Sequence, residues 1–100
     1  MEFFDALSSL RKANPDCNED DLRSALESET SYEESQSTGR DKYGRAVETA
    51  YNRLTGWLRD GCEYGATLDW RNLAHFTASH RPAVVYGVMI AKARYDEKPA

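Results

Sequence analysis

The strongest constraint on this chain is the periodicity between Tyr43 and Trp57. Tyr43, Val47, Ala50, Leu54 and Trp57 follow one another at spacings of four, three, four and three. An α-helix brings such a set onto one face. Tyr51 and Leu58 flank the stripe, and Arg45, Glu48, Thr49, Asn52, Arg53 and Thr55 occupy the opposite face. Asp41 is placed to cap this helix and Gly61 to stop it. Gly56 weakens its last turn by up to about 1 kcal/mol relative to alanine.

The flanking segments carry the same signal in shorter form. Phe3, Leu7 and Leu10 define a helix over residues 2–13, ended at Asn14-Pro15 because proline pushes the preceding residue out of the helical region. Asn18 caps a second helix, with Glu19, Asp20 and Asp21 in its first turn and Leu22, Ala25 and Leu26 inward. This helix is expected to end near Ser28. The Ser/Thr/Glu-rich stretch at about 28–40 reads as a mobile acidic connection. Thr67 or Asp69 starts a further helix through Ala78, with Leu73 and Phe76 inward. After a break at 79–82, Pro82 opens a last helix over about 83–95. That helix is apolar almost all round, the mark of a central element or an interface. The run Val84-Val85-Tyr86-Gly87-Val88 also has strand character, but no partner strand is visible. Residues 96–100 read as a frayed tail.

These elements predict an all-α fold, a compact bundle of four to five short helices in one domain over residues 1–100. The expected core is Phe3, Leu7, Leu10, Leu22, Leu26, Val47, Leu54, Trp57, Leu73, Phe76, Val84, Val88 and Met89. Eleven aromatic residues are too many for a wholly disordered chain. No apolar run approaches the length of a membrane span, and no secretory leader is evident. Two cysteines make no disulfide framework. A cytoplasmic protein is the simplest expectation.

Charge is the one functional lead. Residues 16–34 hold eight acidic residues and one basic residue, a formal −7 in a chain of net −4. Everything outside that block sums to +3, and no acid occurs from Trp70 to Tyr95. Such segregation speaks to partners and association. Glu19, Asp20 and Asp21 are explained by the helix start. Glu27, Glu29, Glu33 and Glu34 fall near or past the expected helix end, where the dipole disfavours them.

Catalytic and metal chemistry find no support in the pattern. Cys17, Cys62, His75 and His80 are zinc-type ligands, but the cysteines are 45 positions apart and the histidines straddle a break. Cys17 lies among acids, which oppose thiolate formation; Cys62 is followed by Glu63, with His75 the one base that could approach it in space. The GCEYG stretch at 61–65 matches no phosphate-binding loop. The chain is therefore expected to be non-enzymatic, with no cofactor and no metal.

The leading expectation is a protein-binding inhibitor or regulator whose acidic surface meets a larger, basic or nucleic-acid-binding partner. Its contact residues are Asp20, Asp21, Glu27, Glu29, Glu33 and Glu34. Carboxylates on a helix and loop can imitate a phosphate array and occupy a basic groove. In size and charge alone, the chain resembles small acidic helical proteins such as phage-encoded inhibitors and bacterial immunity proteins; no motif carries that likeness. The alternative is a nucleic-acid-binding module using Arg71, Arg81, Lys92 and Arg94 beside Tyr64, Trp70, Tyr86 and Tyr95. Against it, the helix over 83–95 presents valines and methionine where a recognition helix presents polar residues. That helix also offers a surface for homodimerisation.

Overall fold

A computed structural model describes residues 1–60, 78 and 80–97. Among them are four α-helices and no strand: α1 (Phe3–Ala13), α2 (Glu19–Gln36), α3 (Lys42–Asp60) and α4 (Pro82–Glu97). The fold is an all-α bundle. The helix expected over 67–78, with Leu73 and Phe76, lies outside the described residues apart from Ala78.

The break between α1 and α2 is built by Asn14. Its buried side chain donates to the Leu10 carbonyl at 2.8 Å, and its backbone N–H reaches the same carbonyl at 2.9 Å. The Asn14 carbonyl then accepts from the Cys17 N–H at 3.1 Å. Asn18 caps α2 as its sequence position implies, with Oδ1 accepting from the Asp21 N–H at 3.1 Å.

The main departure from expectation is the length of α2. It does not stop near Ser28 but continues to Gln36, so most of the expected connection at 28–40 is helix. The actual connection runs from Ser37 to Asp41. Ser37 ends the helix: its N–H donates to the Glu34 carbonyl at 3.2 Å and its hydroxyl to the Glu33 carbonyl at 2.9 Å. Gly39 turns the chain with a φ of 94°, a region glycine enters without steric cost. The Arg45 guanidinium reaches back to the Thr38 carbonyl at 2.7 Å. Asp41 precedes α3, but in the left-handed region at φ 55° rather than the extended geometry of an ordinary N-cap.

The core is drawn from all four helices. Ala6, Leu7 and Leu10 meet Leu22, Ala25 and Leu26, and these meet Val47, Ala50, Leu54 and Leu58, with Ala83 completing the cluster. Phe3, Trp57, Tyr86 and Ile90 pack against it, partly buried. Val84 and Val88 are buried as expected. One member of the expected core fails at the rim, and the first position of the α3 stripe is open as well. Met89 is 41% exposed and Tyr43 is 50% exposed. Met89 lies outside the buried stripe of α4, which is Ala83, Val84, Gly87 and Val88. Tyr43 sits in the first turn of α3, ahead of the buried run that starts at Ala46.

α4 is a helix and not a strand. It packs on both α2 and α3. Its approach to α3 is very close: a Cβ added at Gly87 would stand 2.7 Å from Trp57 Cβ. The absence of a side chain at Gly87 is what allows this crossing. Asp96 and Glu97, expected in a frayed tail, continue α4.

Candidate functional site

The acidic block separates into two faces once α2 is followed to its end. Leu22, Leu26, Glu29 and Glu33 fall at i, i+4, i+7 and i+11, so the apolar stripe of the first half is continued by two carboxylates. Glu29 is 0% exposed and Glu33 is also buried. Both had been expected on a contact surface; packing turns them inward. A carboxylate removed from water costs several kcal/mol unless it is paired and hydrogen-bonded.

The pairing comes from two other parts of the chain. Arg81, just before α4, grips Glu29 with both arms of its guanidinium. Its Nε donates to Oε2 and its Nη2 to Oε1, each at 3.0 Å. This bidentate geometry is the strongest form of such a pair. The same guanidinium lies 3.7 Å from the centre of the Tyr32 ring, a cation–π contact. Arg53 of α3 supplies the second cation, with Nε 3.2 Å from Glu33 Oε1 and Nη1 3.9 Å from Glu29 Oε1. Two carboxylates and two guanidiniums thus form a neutral cluster joining α2, α3 and the start of α4. Hydrogen bonding to Glu29 raises the Arg81 pKa above its ordinary value, against the opposing effect of burial. Arg81 is therefore held as a cation.

Two buried polar atoms here are less well served. Glu33 Oε1 lies within ion-pair distance of Arg53 but makes no hydrogen bond among the described residues. The other is the Thr30 hydroxyl, on a residue 4% exposed, which has no hydrogen-bond partner among the described residues.

The outer face of α2 is different in kind. Asp20, Ser24, Glu27, Ser31 and Glu34 recur at spacings of four, three, four and three, opposite the core stripe. The stripe contains no apolar and no basic residue, and spans roughly 21 Å of helix at 1.5 Å per residue. Asp20, Asp21 and Glu27 are exposed and Glu34 is half-buried. None of the four is in an ion pair among the described residues. Glu19 is, to Arg11 at 3.1 Å. Of the six expected contact residues, Asp20, Asp21, Glu27 and Glu34 therefore remain available to a partner.

The basic set is not gathered into a site by the described residues. Arg81 is committed to Glu29. Arg71 lies outside the described residues, and only the helical backbone is described at Lys92 and Arg94. Sequence reasoning missed Arg53 and Tyr32 as members of the inner cluster. The signal for it was present, because Glu29 and Glu33 stand in register with Leu22 and Leu26. Cys17 is half-buried against the core. No group of three His, Cys, Asp or Glu side chains is arranged to hold a metal among the described residues. No described helix is long and apolar enough to cross a membrane. No family model, no curated protein and no solved structure matches the chain.

Proposed function

We propose that this is a non-enzymatic binding protein that inhibits or regulates a larger basic partner, met by the outward face of α2. The observation that supports this reading is the division of the acidic block. Glu29 and Glu33 are neutralised inside the bundle, whereas Asp20, Asp21, Glu27 and Glu34 face outward without internal cations. Glu34 also sits in the last turn of α2, which has no basic residue to offset the negative end of the helix dipole. An acid in that place costs the helix stability, and a contact with a partner's cation would recover it.

In its most specific form, the partner is a nucleic-acid enzyme or a defence complex. Its basic groove takes the carboxylates of α2 where it would otherwise take phosphates, and the chain is the product of a phage or mobile element. Steering by complementary charge then accelerates association and makes it sensitive to salt.

The test is capture from a lysate of the native host, comparing the parent protein with Asp20→Asn/Asp21→Asn/Glu27→Gln/Glu34→Gln. The parent is expected to retain a basic protein that moderate salt elutes. The quadruple variant is expected to lose it while keeping the parent's helical circular dichroism. Retention of the same protein by the variant, with unchanged salt dependence, would sink the acidic-contact reading.

A further inference from the structure

The two halves of α2 are held in different ways. The first half is fixed by Leu22, Ala25 and Leu26, all buried in the core. Beyond Leu26 the buried positions are Glu29, Thr30 and Glu33, and no aliphatic side chain follows. Tyr32, the one large apolar residue there, is 36% exposed. Local propensity adds little, since Ser28, Thr30, Ser31, Tyr32 and Ser35 are all poorer helix formers than alanine or leucine. Glu33 and Glu34 also meet the negative pole of the helix dipole, and no basic residue lies in the last turn.

Two arginines from other elements reach this second half. Arg81 holds Glu29 and covers the Tyr32 ring, and Arg53 holds Glu33. Neither cation is sealed: the Arg53 and Arg81 side chains are 47% and 32% exposed. A carboxylate left without its cation regains water only by leaving the inward face. Unwinding of residues 29–36 achieves this and exposes no aliphatic side chain of that segment, the mark of a part that opens locally.

We infer that Arg53 and Arg81 form a latch that sets whether residues 29–36 are helical, and so whether the outer acidic stripe has its full length. With the latch closed, Ser31 and Glu34 continue the line of Asp20 and Glu27. With it open, residues 29–36 unwind as one unit and Glu34 leaves the line, while Asp20, Asp21 and Glu27 stay in place. The docking of α4 onto α2 is thereby coupled to the face a partner meets. The coupling is reciprocal: a cation bound at Glu34 offsets the dipole, favours the helical form and closes the latch. The latch stands on the inner cluster alone, and its effect on a partner rests on the acidic-contact reading above.

Amide hydrogen exchange of the full chain, read residue by residue, tests the unit. Amides of residues 31–36 are expected to share one opening, roughly tenfold or more faster than that of residues 23–28. A smooth gradient from Leu26 to Gln36 would be ordinary end fraying and overturns the latch. Arg53→Met/Arg81→Met is expected to remove the helical Cα chemical shifts of residues 29–36 and keep those of 20–27. Unchanged shifts overturn the latch, and so does a loss that spreads through α1 and α3. Adding Glu29→Leu/Glu33→Leu to that variant is expected to restore the helix, because leucines need no cation. Failure to restore it would show that charge is not the cause.

Hexalysine is the probe for the coupling. At low salt it is expected to shift Asp20, Glu27 and Glu34 and to slow the shared opening about threefold, but not in Glu34→Gln. Binding that leaves the opening unchanged overturns the coupling. No binding at all removes the acidic-contact reading and the coupling with it, while the latch is still decided by the exchange step.

Discussion

A carboxylate without solvent contact, such as Glu29, is tolerated only while its partner is in place. Arg81→Met is expected to lower stability by about 3 kcal/mol in urea unfolding, because it strands a buried negative charge that Arg53, at 3.9 Å, only partly offsets. The double variant Glu29→Leu/Arg81→Met is expected to recover most of that loss, since two apolar groups need no pairing. A double variant as unstable as the single one would show that Arg81 acts by packing rather than by charge. The Arg81 guanidinium itself stays charged at pH values below its ordinary pKa, so its contribution is kept there for as long as Glu29 is ionised. On the alkaline side it is lost as pH rises through the higher folded value, so ordinary buffers do not titrate the guanidinium. Thr30 makes the opposite case. Thr30→Val replaces a buried hydroxyl that finds no partner among the described residues by a methyl of the same shape, and a gain of about 1 kcal/mol in thermal or urea unfolding is expected.

At the scale of elements, two glycines on neighbouring helices have opposite roles. Gly56 in α3 has no described atom within 4 Å of an added Cβ, whereas Gly87 in α4 would place one 2.7 Å from Trp57 Cβ. Gly56→Ala is expected to raise stability by up to about 1 kcal/mol through helix propensity. Gly87→Ala is expected to lower it by about 1–3 kcal/mol by forcing α3 and α4 apart. Differential scanning calorimetry on the two variants should move the midpoint in opposite directions. The same contrast explains what was legible in each helix. The 4–3–4–3 stripe of α3 declared the helix and most of its buried face. The second half of α2 does not show in the hydrophobic pattern, because its inward positions are Glu29 and Glu33 rather than leucines. A periodicity search weighted by hydrophobicity ends where the apolar residues end. The backbone continues because cations from α3 and from the start of α4 arrive to neutralise the same face.

For the whole molecule, charge has been sorted by folding into an inner neutral cluster and an outer acidic stripe. Exposed charges are screened at roughly 0.5 M salt, whereas buried pairs are screened much less. Raising salt to that level is therefore expected to release a basic partner while shifting the unfolding midpoint little. Parallel loss of both would place the inner cluster under solvent control and contradict its burial. By itself, the sequence determined that the chain is helical, where α1, α3 and α4 lie, and that Leu7, Leu10, Leu22, Leu26, Val47 and Leu54 are core. Those properties follow from short-range periodicity, capping and proline. Only the tertiary structure decided which acids are structural and which face outward, because Glu29 and Arg81 are 52 positions apart. It also decided that the second half of α2 is helix, since Arg53 and Arg81 must arrive from other elements before Glu29 and Glu33 can face inward.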